Sequence, residues 1–207
     1  MLTPLQRGFT LVEVIIAIAV LGILLMVGVP SMSEWLQNSQ IRTAAEIMAQ
    51  GLQAARAEAV RRNTSVRFSL VDTLDASCAL SATGQNWIVS RNDPSGQCDS
   101  AEIVDFTQPN DTAIAQILQK RLGTEGTPNA QISASDDAAA SSSVTFNSLG
   151  RVLNANGIDT IDVSNPSGGT CKTAAGKMRC LRVTVSIGGD VRMCDPFITA
   201  AGDTRKC

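Results

Sequence analysis

The feature that most constrains this chain is a long apolar run near its N-terminus, in which Val14 to Val29 carry no charge. Together with its flanks the run forms segment 9–30. As a helix rising about 1.5 Å per residue, this segment would be roughly 33 Å long, against a bilayer hydrocarbon core of about 30 Å. We therefore predict a hydrophobic helix over 9–30 that can cross a membrane, with the rest of the chain carried by it.

One carboxylate, Glu13, lies inside this apolar stretch. A deeply placed carboxylate costs about 2 to 3 kcal/mol in a bilayer and usually marks a function. If the chain were cut after Gly8, the new amino group of Phe9 would lie one helical turn from Glu13 and would be a suitable countercharge. An ordinary secretory signal cleaved after Ser31-Met32-Ser33 and a plain membrane anchor are the alternatives, and both leave Glu13 unexplained.

The composition argues against catalysis. The chain has no histidine and no tyrosine. The lack of histidine excludes the commonest general base, the imidazole-based triads and most catalytic zinc sites. The formal net charge of −2 provides no bulk attraction for nucleic acid. We therefore expect a protein that is not an enzyme, with no cofactor and no metal site.

All six cysteines follow the apolar segment, as expected for disulfides in an exported domain. No pair has the C-x-x-C spacing that is typical of metal sites. The sequence leaves every connectivity open, but neighbour pairing is favoured because each such pair closes a short loop rich in Gly, Ser, Asp or Lys. The favoured pairs are Cys78 with Cys98, Cys171 with Cys180, and Cys194 with Cys207.

Segment 31–63 predicts an amphipathic helix, because apolar residues recur at steps of three and four. Its C-terminal end is expected at Arg61, Arg62 and Asn63, where two cations meet the negative helix pole and Asn can adopt a left-handed cap. We expect the apolar stripe to pack against a sheet. The stripe consists of Ile41, Ala45, Met48, Leu52, Ala55 and Ala59.

From Ser65 onward the apolar period changes to two, which predicts a strand with one solvent-exposed face. Ile114 to Leu122 fits either a strand or a short helix, and Ser133 to Ser143 is predicted to be a mobile surface loop because it lacks any apolar period. Further strands are predicted at 87–90, 102–106, 130–134, 144–147, 158–163, 181–187 and 191–194.

The N-terminus resembles the class III signal of type IV pilins and pseudopilins, in which a short leader ending in Gly precedes Phe-Thr-Leu-(Ile/Val)-Glu. Here Gly8, Phe9, Thr10, Leu11 and Glu13 agree in order and spacing. Segments 86–89, 144–152 and 183–194 resemble successive signatures of the GspH/FimT family, so that the resemblance covers nearly the whole chain.

This resemblance implies an α+β fold, in which a long N-terminal α-helix packs on an antiparallel β-sheet C-terminal domain. The implied parts are a leader peptide at 1–8, a hydrophobic transmembrane or assembly helix at 9–30, an amphipathic helix at 31–63, and a β-rich globular domain with disulfides at 64–207. A prepilin peptidase would cut between Gly8 and Phe9 and methylate the Phe9 nitrogen. Glu13 would then accept the Phe9 ammonium of an adjacent subunit.

The implied function is that of a minor pilin that primes or caps a type IV pilus, with other minor and major pilins, the prepilin peptidase and the inner membrane as partners. The subunit would be a single-pass inner-membrane protein with a periplasmic globular domain before it enters the fibre. The alternatives are an H-type minor pseudopilin of type II secretion and a DNA-binding uptake pilin. DNA-binding uptake pilins are thought to use a Gly-Arg-x-Arg motif. Here Asp190 replaces the first Arg of this motif, which argues against DNA binding and leaves Arg192 and Arg182 as the candidate contacts.

Overall fold

The computed structural model describes residues 9–104, 114–123, 125–137 and 139–207, with only the backbone described at 27–31. The chain divides into two compact units between Leu36 and Gln37. Helix α1, Leu11–Arg62, is the one regular element described in the first unit, and its C-terminal part is the first element of the second unit. Within the described part of the chain, the structure has no helix that combines the length and apolarity needed to cross a membrane.

Helix α1 ends at the predicted position. Asn63 has a positive φ of 48°, and Thr64 donates its backbone N–H to the carbonyl oxygen of Ala59 at 3.2 Å. Such a left-handed cap satisfies carbonyl groups that the last helical turn leaves without partners, and Asn tolerates this conformation better than most residues. Arg61 and Arg62 lie in the last turn, where positive charge is favourable.

The second unit contains two antiparallel sheets, where a single sheet was expected. The four-stranded sheet has the order β3-β2-β1-β6, and the five-stranded sheet has the order β5-β4-β7-β8-β9. Two short 3-10 helices, Pro166–Gly168 and Lys172–Ala174, lie between β7 and β8. The strands are β1 Val66–Val71, β2 Asn86–Ser90, β3 Ile117–Arg121, β4 Gln131–Asp136, β5 Ala139–Ala140, β6 Ser143–Phe146, β7 Thr160–Ser164, β8 Leu181–Val185 and β9 Val191–Cys194.

The main core lies between the second-unit part of α1 and both sheets. Every residue of the predicted apolar stripe on α1 is buried, so that the amphipathic assignment is confirmed. Residues of β1, β2 and β6 from the first sheet and of β4, β7 and β8 from the second belong to the same buried cluster. Gly51 lets the helix approach the first sheet closely, because a Cβ there would lie 2.7 Å from the Phe68 ring and 2.8 Å from the Trp87 ring.

The prediction that the strand after Ser65, which is β1, has one solvent-exposed face is wrong for part of that face. Ser69 and Ile88 point away from the α1 core, yet both are fully buried. A second apolar cluster covers this face, and it includes Ile88, Ile117 and the disulfide-bonded Cys78 and Cys98. A disulfide-linked loop can cover a sheet face and exclude water from it. The period of apolar residues along a strand does not indicate such a cover.

The predicted loop Ser133 to Ser143 is also corrected. Its first part belongs to β4, which pairs with β7 in a register that includes Ser133 opposite Asp162, and β5 lies further along. Backbone pairing to a distant strand stabilises a segment whose side chains show no apolar period. Of the strand predicted at 102–106, residues 102–104 are not in a strand, and 105–106 lie outside the described residues. The predicted segment 114–122 contains strand β3.

Candidate assembly site

The first unit presents an apolar helix surface that no described residue covers. From Phe9, which is 85% exposed, to Met26, every described side chain is exposed. Surfaces of this kind on a folded chain mark contact with a partner or a membrane, because apolar area left in water is costly. A shallow recess on this helix is lined by Phe9, Glu13, Val14, Ala17, Ile18 and Leu21.

Thr10 and Glu13 form a reciprocal cap at the beginning of α1. The Glu13 backbone N–H donates to Thr10 Oγ1 at 3.3 Å, and the Thr10 backbone N–H donates to Glu13 Oε2 at 3.4 Å. This arrangement is a capping box, in which the N-cap residue and the third residue of the helix satisfy each other's unpaired N–H groups. The Thr-x-x-Glu spacing is its sequence signal, and we did not predict this role for Glu13.

The Glu13 carboxylate can therefore cap the helix and still accept a hydrogen bond from another group. It holds the first turn of the helix, and it keeps oxygen lone pairs for a further donor, since a carboxylate accepts several hydrogen bonds. Phe9 lies at the same end of the helix, among the residues that line the recess with Glu13. Gly8 and the rest of the 1–8 leader lie outside the described residues, so that cleavage between Gly8 and Phe9 stays a prediction.

The three disulfides of the second unit join neighbouring cysteines, in the pattern that the loop compositions favoured. The bonds are Cys78–Cys98, Cys171–Cys180 and Cys194–Cys207, with Cα–Cα distances of 6.1, 5.5 and 5.0 Å. The first lies in the buried cluster behind the first sheet, whereas the other two hold loops beside the second sheet. Among the described residues no cluster of His, Cys, Asp or Glu could hold a metal ion.

The candidate DNA-contacting arginines do not form an open basic patch. Arg182 on β8 holds Asp162 on β7 through two hydrogen bonds of 2.7 and 2.8 Å. These hydrogen bonds raise the pKa of Arg182 above its usual value, with desolvation opposing them. Arg192 on β9 donates to the Lys206 carbonyl oxygen. The sequence did not indicate these partners, because Asp162 and Lys206 are distant along the chain.

Two further cations near this sheet are also paired with carboxylates. Arg179 lies 2.6 Å from Asp195, and Arg205 lies 2.8 Å from Asp203. Hydrogen bonds from the Arg205 side chain and backbone lower the pKa of Asp203 to about 2. Each of these ion pairs cancels a positive charge that a phosphate would otherwise meet, so the geometry offers little support for DNA capture.

Comparisons with known proteins find two family models that match the chain. The family model for the type II transport protein GspH matches residues 44–189, more than half of the chain. The model for the prokaryotic N-terminal methylation motif matches residues 4–29, which include Gly8, Phe9 and Glu13. No curated protein matches the chain.

Two solved structures of the type IV minor pilin FimU from Pseudomonas aeruginosa, in different crystal forms, are similar to the chain. One is 18% identical, covers 73% of this chain and 90% of its own, and has a TM-score of 0.43. The other is 15% identical, covers 77% and 91%, and has a TM-score of 0.47. On the strength of the family match over residues 44–189 and the methylation motif at the N-terminus, the chain belongs to the GspH family of type IV pilin-like proteins.

Proposed function

We propose that the protein is a minor pilin that primes or caps a type IV pilus through helix packing with other pilins. In this proposal a prepilin peptidase removes residues 1–8 and methylates Phe9, and segment 9–30 anchors the subunit in the inner membrane before assembly. The globular unit then lies in the periplasm and later at the fibre tip. The two family models that match the chain, for GspH and for the N-terminal methylation motif, support this assignment.

The observation that carries the proposal is the exposed apolar surface of the first unit, with Phe9 and Glu13 at its N-terminal end. Helix packing between subunits would bury this surface, and Glu13 would meet the Phe9 ammonium of the adjacent subunit. In an apolar environment an unpaired charge is so unfavourable that two opposite charges select the register in which they meet. The capping box keeps the Glu13 carboxylate at the helix start, where an incoming amino group would find it.

The test compares two variants of Glu13 that separate its charge from its capping role. Glu13→Gln keeps a side chain that suits the capping box but removes the negative charge, whereas Glu13→Val removes both. We expect both variants to reach the membrane and both to be depleted at least tenfold in sheared fibres. The readouts are immunoblots of membrane and fibre fractions, together with mass spectrometry of the mature N-terminus for methylated Phe9.

The control is Glu46→Gln, which removes a carboxylate of the same type from an exposed pair with Arg42 in the second unit. This variant should enter fibres at the normal level. Normal incorporation of Glu13→Gln would show that capping alone accounts for Glu13, and an unprocessed Met1 at the N-terminus would remove the pilin assignment.

The second candidate is an H-type minor pseudopilin of type II secretion. The observation in its favour is the matching family model, whose description names type II transport. The same helix chemistry would serve either machine, so the discriminating readout is the phenotype of a deletion strain. Loss of surface fibres with normal protein secretion supports the pilus, and loss of secretion with normal fibres supports the pseudopilin.

A further inference from the structure

Two turns that are distant in sequence touch each other and the C-terminal part of α1. The first turn is 147–151, after β6, and the second is 186–190, between β8 and β9. Gly150 has a φ of 73°, and a Cβ on it would lie 3.1 Å from both Arg56 Nε and Val60 Cγ2. A Cβ on Gly189 would collide with the carbonyl oxygen of Gly150. The close contact therefore requires glycine at both positions.

Hydrogen bonds hold both turns in place. Asn147 Oδ1 accepts the backbone N–H groups of Leu149 and Arg151, each at 3.0 Å. In the other turn Gly189 donates to the Ser186 carbonyl oxygen at 2.8 Å, and the Val152 N–H donates to the Ile187 carbonyl oxygen at 3.1 Å, which ties the two turns together. The surface is thus preorganised, which lowers the entropic cost of binding a partner.

The tips of these turns expose large apolar side chains. Leu149 is 75% exposed and Ile187 is 81% exposed, and Val60 on the adjoining helix is exposed as well. Polar residues usually occupy turn tips, because nothing is gained by holding apolar groups in water. A rigid cluster of exposed aliphatic side chains therefore indicates a contact surface. We refer to Arg56, Val60, Leu149, Arg151 and Ile187 as the two-turn surface.

The charges of the two-turn surface indicate the chemistry of its partner. Among the arginines in the described residues, Arg56 and Arg151 differ from the rest, because no hydrogen bond or ion pair joins either guanidinium to another described residue. Arg56 is half-buried, and its Nε lies beside Gly150 at the base of the first turn. One exposed carboxylate, Asp190, lies in the second turn, and the two arginines outnumber it.

We propose that the two-turn surface docks a neighbouring, different pilin subunit through an exposed segment in which a carboxylate stands beside apolar side chains. The carboxylate would pair with Arg56 and Arg151, and the apolar side chains would cover Val60, Leu149 and Ile187. Arginine is favoured for such contacts because its planar fork binds carboxylates in a bidentate manner and stays charged at interfaces. The inference rests on the proposed pilin function and extends it from the N-terminal helix to the globular unit.

The test places a photoreactive benzoylphenylalanine at Ile187 in the full-length chain, expressed in its own host with the other pilin subunits. A second chain carries the same residue at Phe197, an exposed aromatic position outside the two-turn surface. After irradiation of intact cells, crosslinked peptides are identified by mass spectrometry. We expect the Ile187 probe to label an Asp- or Glu-containing apolar segment of a different subunit, and the Phe197 probe not to label it.

The charge contribution is measured with Arg56→Glu and Arg151→Glu in the Ile187 probe chain, each expected to lower the adduct at least fivefold. Lys177→Glu, an equal charge reversal at an exposed position elsewhere, should leave it unchanged. An adduct that survives Arg56→Glu and Arg151→Glu, an adduct with a second copy of this chain, or incorporation into fibres without any adduct would each overturn the proposal. An adduct that forms in membranes while the chain never enters fibres would instead contradict the pilus assignment and leave the docking surface supported.

Discussion

Arg179 Nε lies 2.6 Å from Asp195 Oδ2, and this ion pair connects two disulfide loops. Arg179 directly precedes Cys180, and Asp195 directly follows Cys194. The Asp195 side chain is only 4% exposed, and its other oxygen accepts the Phe197 backbone N–H at 2.9 Å. One carboxylate thus joins the Cys171–Cys180 loop to the Cys194–Cys207 loop.

We expect Asp195→Ala to lower the free energy of unfolding by about 1 to 3 kcal/mol, because it removes a charge-assisted hydrogen bond and leaves a backbone N–H without its acceptor. Urea unfolding followed by tryptophan fluorescence measures the change. The control is Arg205→Ala, which breaks an exposed ion pair with Asp203 and should destabilise the chain less than Asp195→Ala does. Equal effects of the two variants would show that the buried contacts of Asp195 stabilise the chain no more than an exposed ion pair does.

The disulfides should differ in their resistance to reduction because their burial differs. Cys98 is fully buried and Cys78 nearly so, whereas Cys207 is exposed and Cys171 is partly exposed. Under limited reduction of the native protein, we expect alkylation at Cys207 and Cys171 well before Cys78 and Cys98. Mass spectrometry of alkylated peptides gives the order, and early labelling of Cys98 would contradict the buried position.

Removal of the Cys78–Cys98 bond, in the double variant Cys78→Ala with Cys98→Ala, should destabilise the chain by about 3 kcal/mol. The bond closes a loop between residues 20 apart, and this loop entropy is the main contribution. The matched control is the double alanine variant of Cys171 and Cys180, whose separation is 9 and whose effect should be smaller. Chemical denaturation under oxidising conditions compares the two.

Replacement of Gly51 should destabilise the fold, although Gly51 lies within a helix. Alanine normally stabilises a helix interior by about 1 kcal/mol relative to glycine. At Gly51 a Cβ would lie 2.7 Å from the Phe68 ring and 2.8 Å from the Trp87 ring, and overpacking of this kind costs about 1 to 3 kcal/mol. We expect Gly51→Val to lower the melting temperature clearly and Gly51→Ala less so. Gly22→Ala is the control, since a Cβ there meets nothing within 4 Å.

Glu58 should make stability depend on acid pH. Burial alone would raise the pKa of Glu58, but hydrogen bonds and charge interactions from Arg61 and Arg62 outweigh it, so that the pKa lies below its usual 4.5. A lowered folded-state pKa gives stabilisation that is fully present above pH 4.5 and is lost as the pH falls through the folded-state value. The melting temperature of the native chain should therefore exceed that of Glu58→Gln at pH 7 and approach it near pH 3. A constant difference across this range would contradict the assignment.

Much of the fold was predictable because the signals are local. The apolar stripe from Ile41 to Ala59 repeats with the helix period, so its burial follows once any apolar surface is available to it. The helix end follows from Arg61, Arg62 and Asn63, whose effects act within one turn. Neighbour pairing of the cysteines also depends on short separations, which favour loop closure. The capping role of Glu13 is equally local, since the Thr-x-x-Glu pattern signals it, although only a charge-pairing role was predicted for this carboxylate.

By itself, the sequence determined the N-terminal helix, its end at Arg61, Arg62 and Asn63, and the family signature at Gly8, Phe9 and Glu13, because each depends on residues close to one another along the chain. Only the tertiary structure decided that there are two sheets, that Ser69 and Ile88 are covered, and that Ser133 belongs to a strand. It also decided which arginines are paired: Arg182 finds Asp162 across two strands, whereas Arg56 meets the turns at Gly150 and Gly189 and finds no carboxylate among the described residues. These outcomes depend on contacts between distant segments, whose geometry the local pattern of residues does not contain.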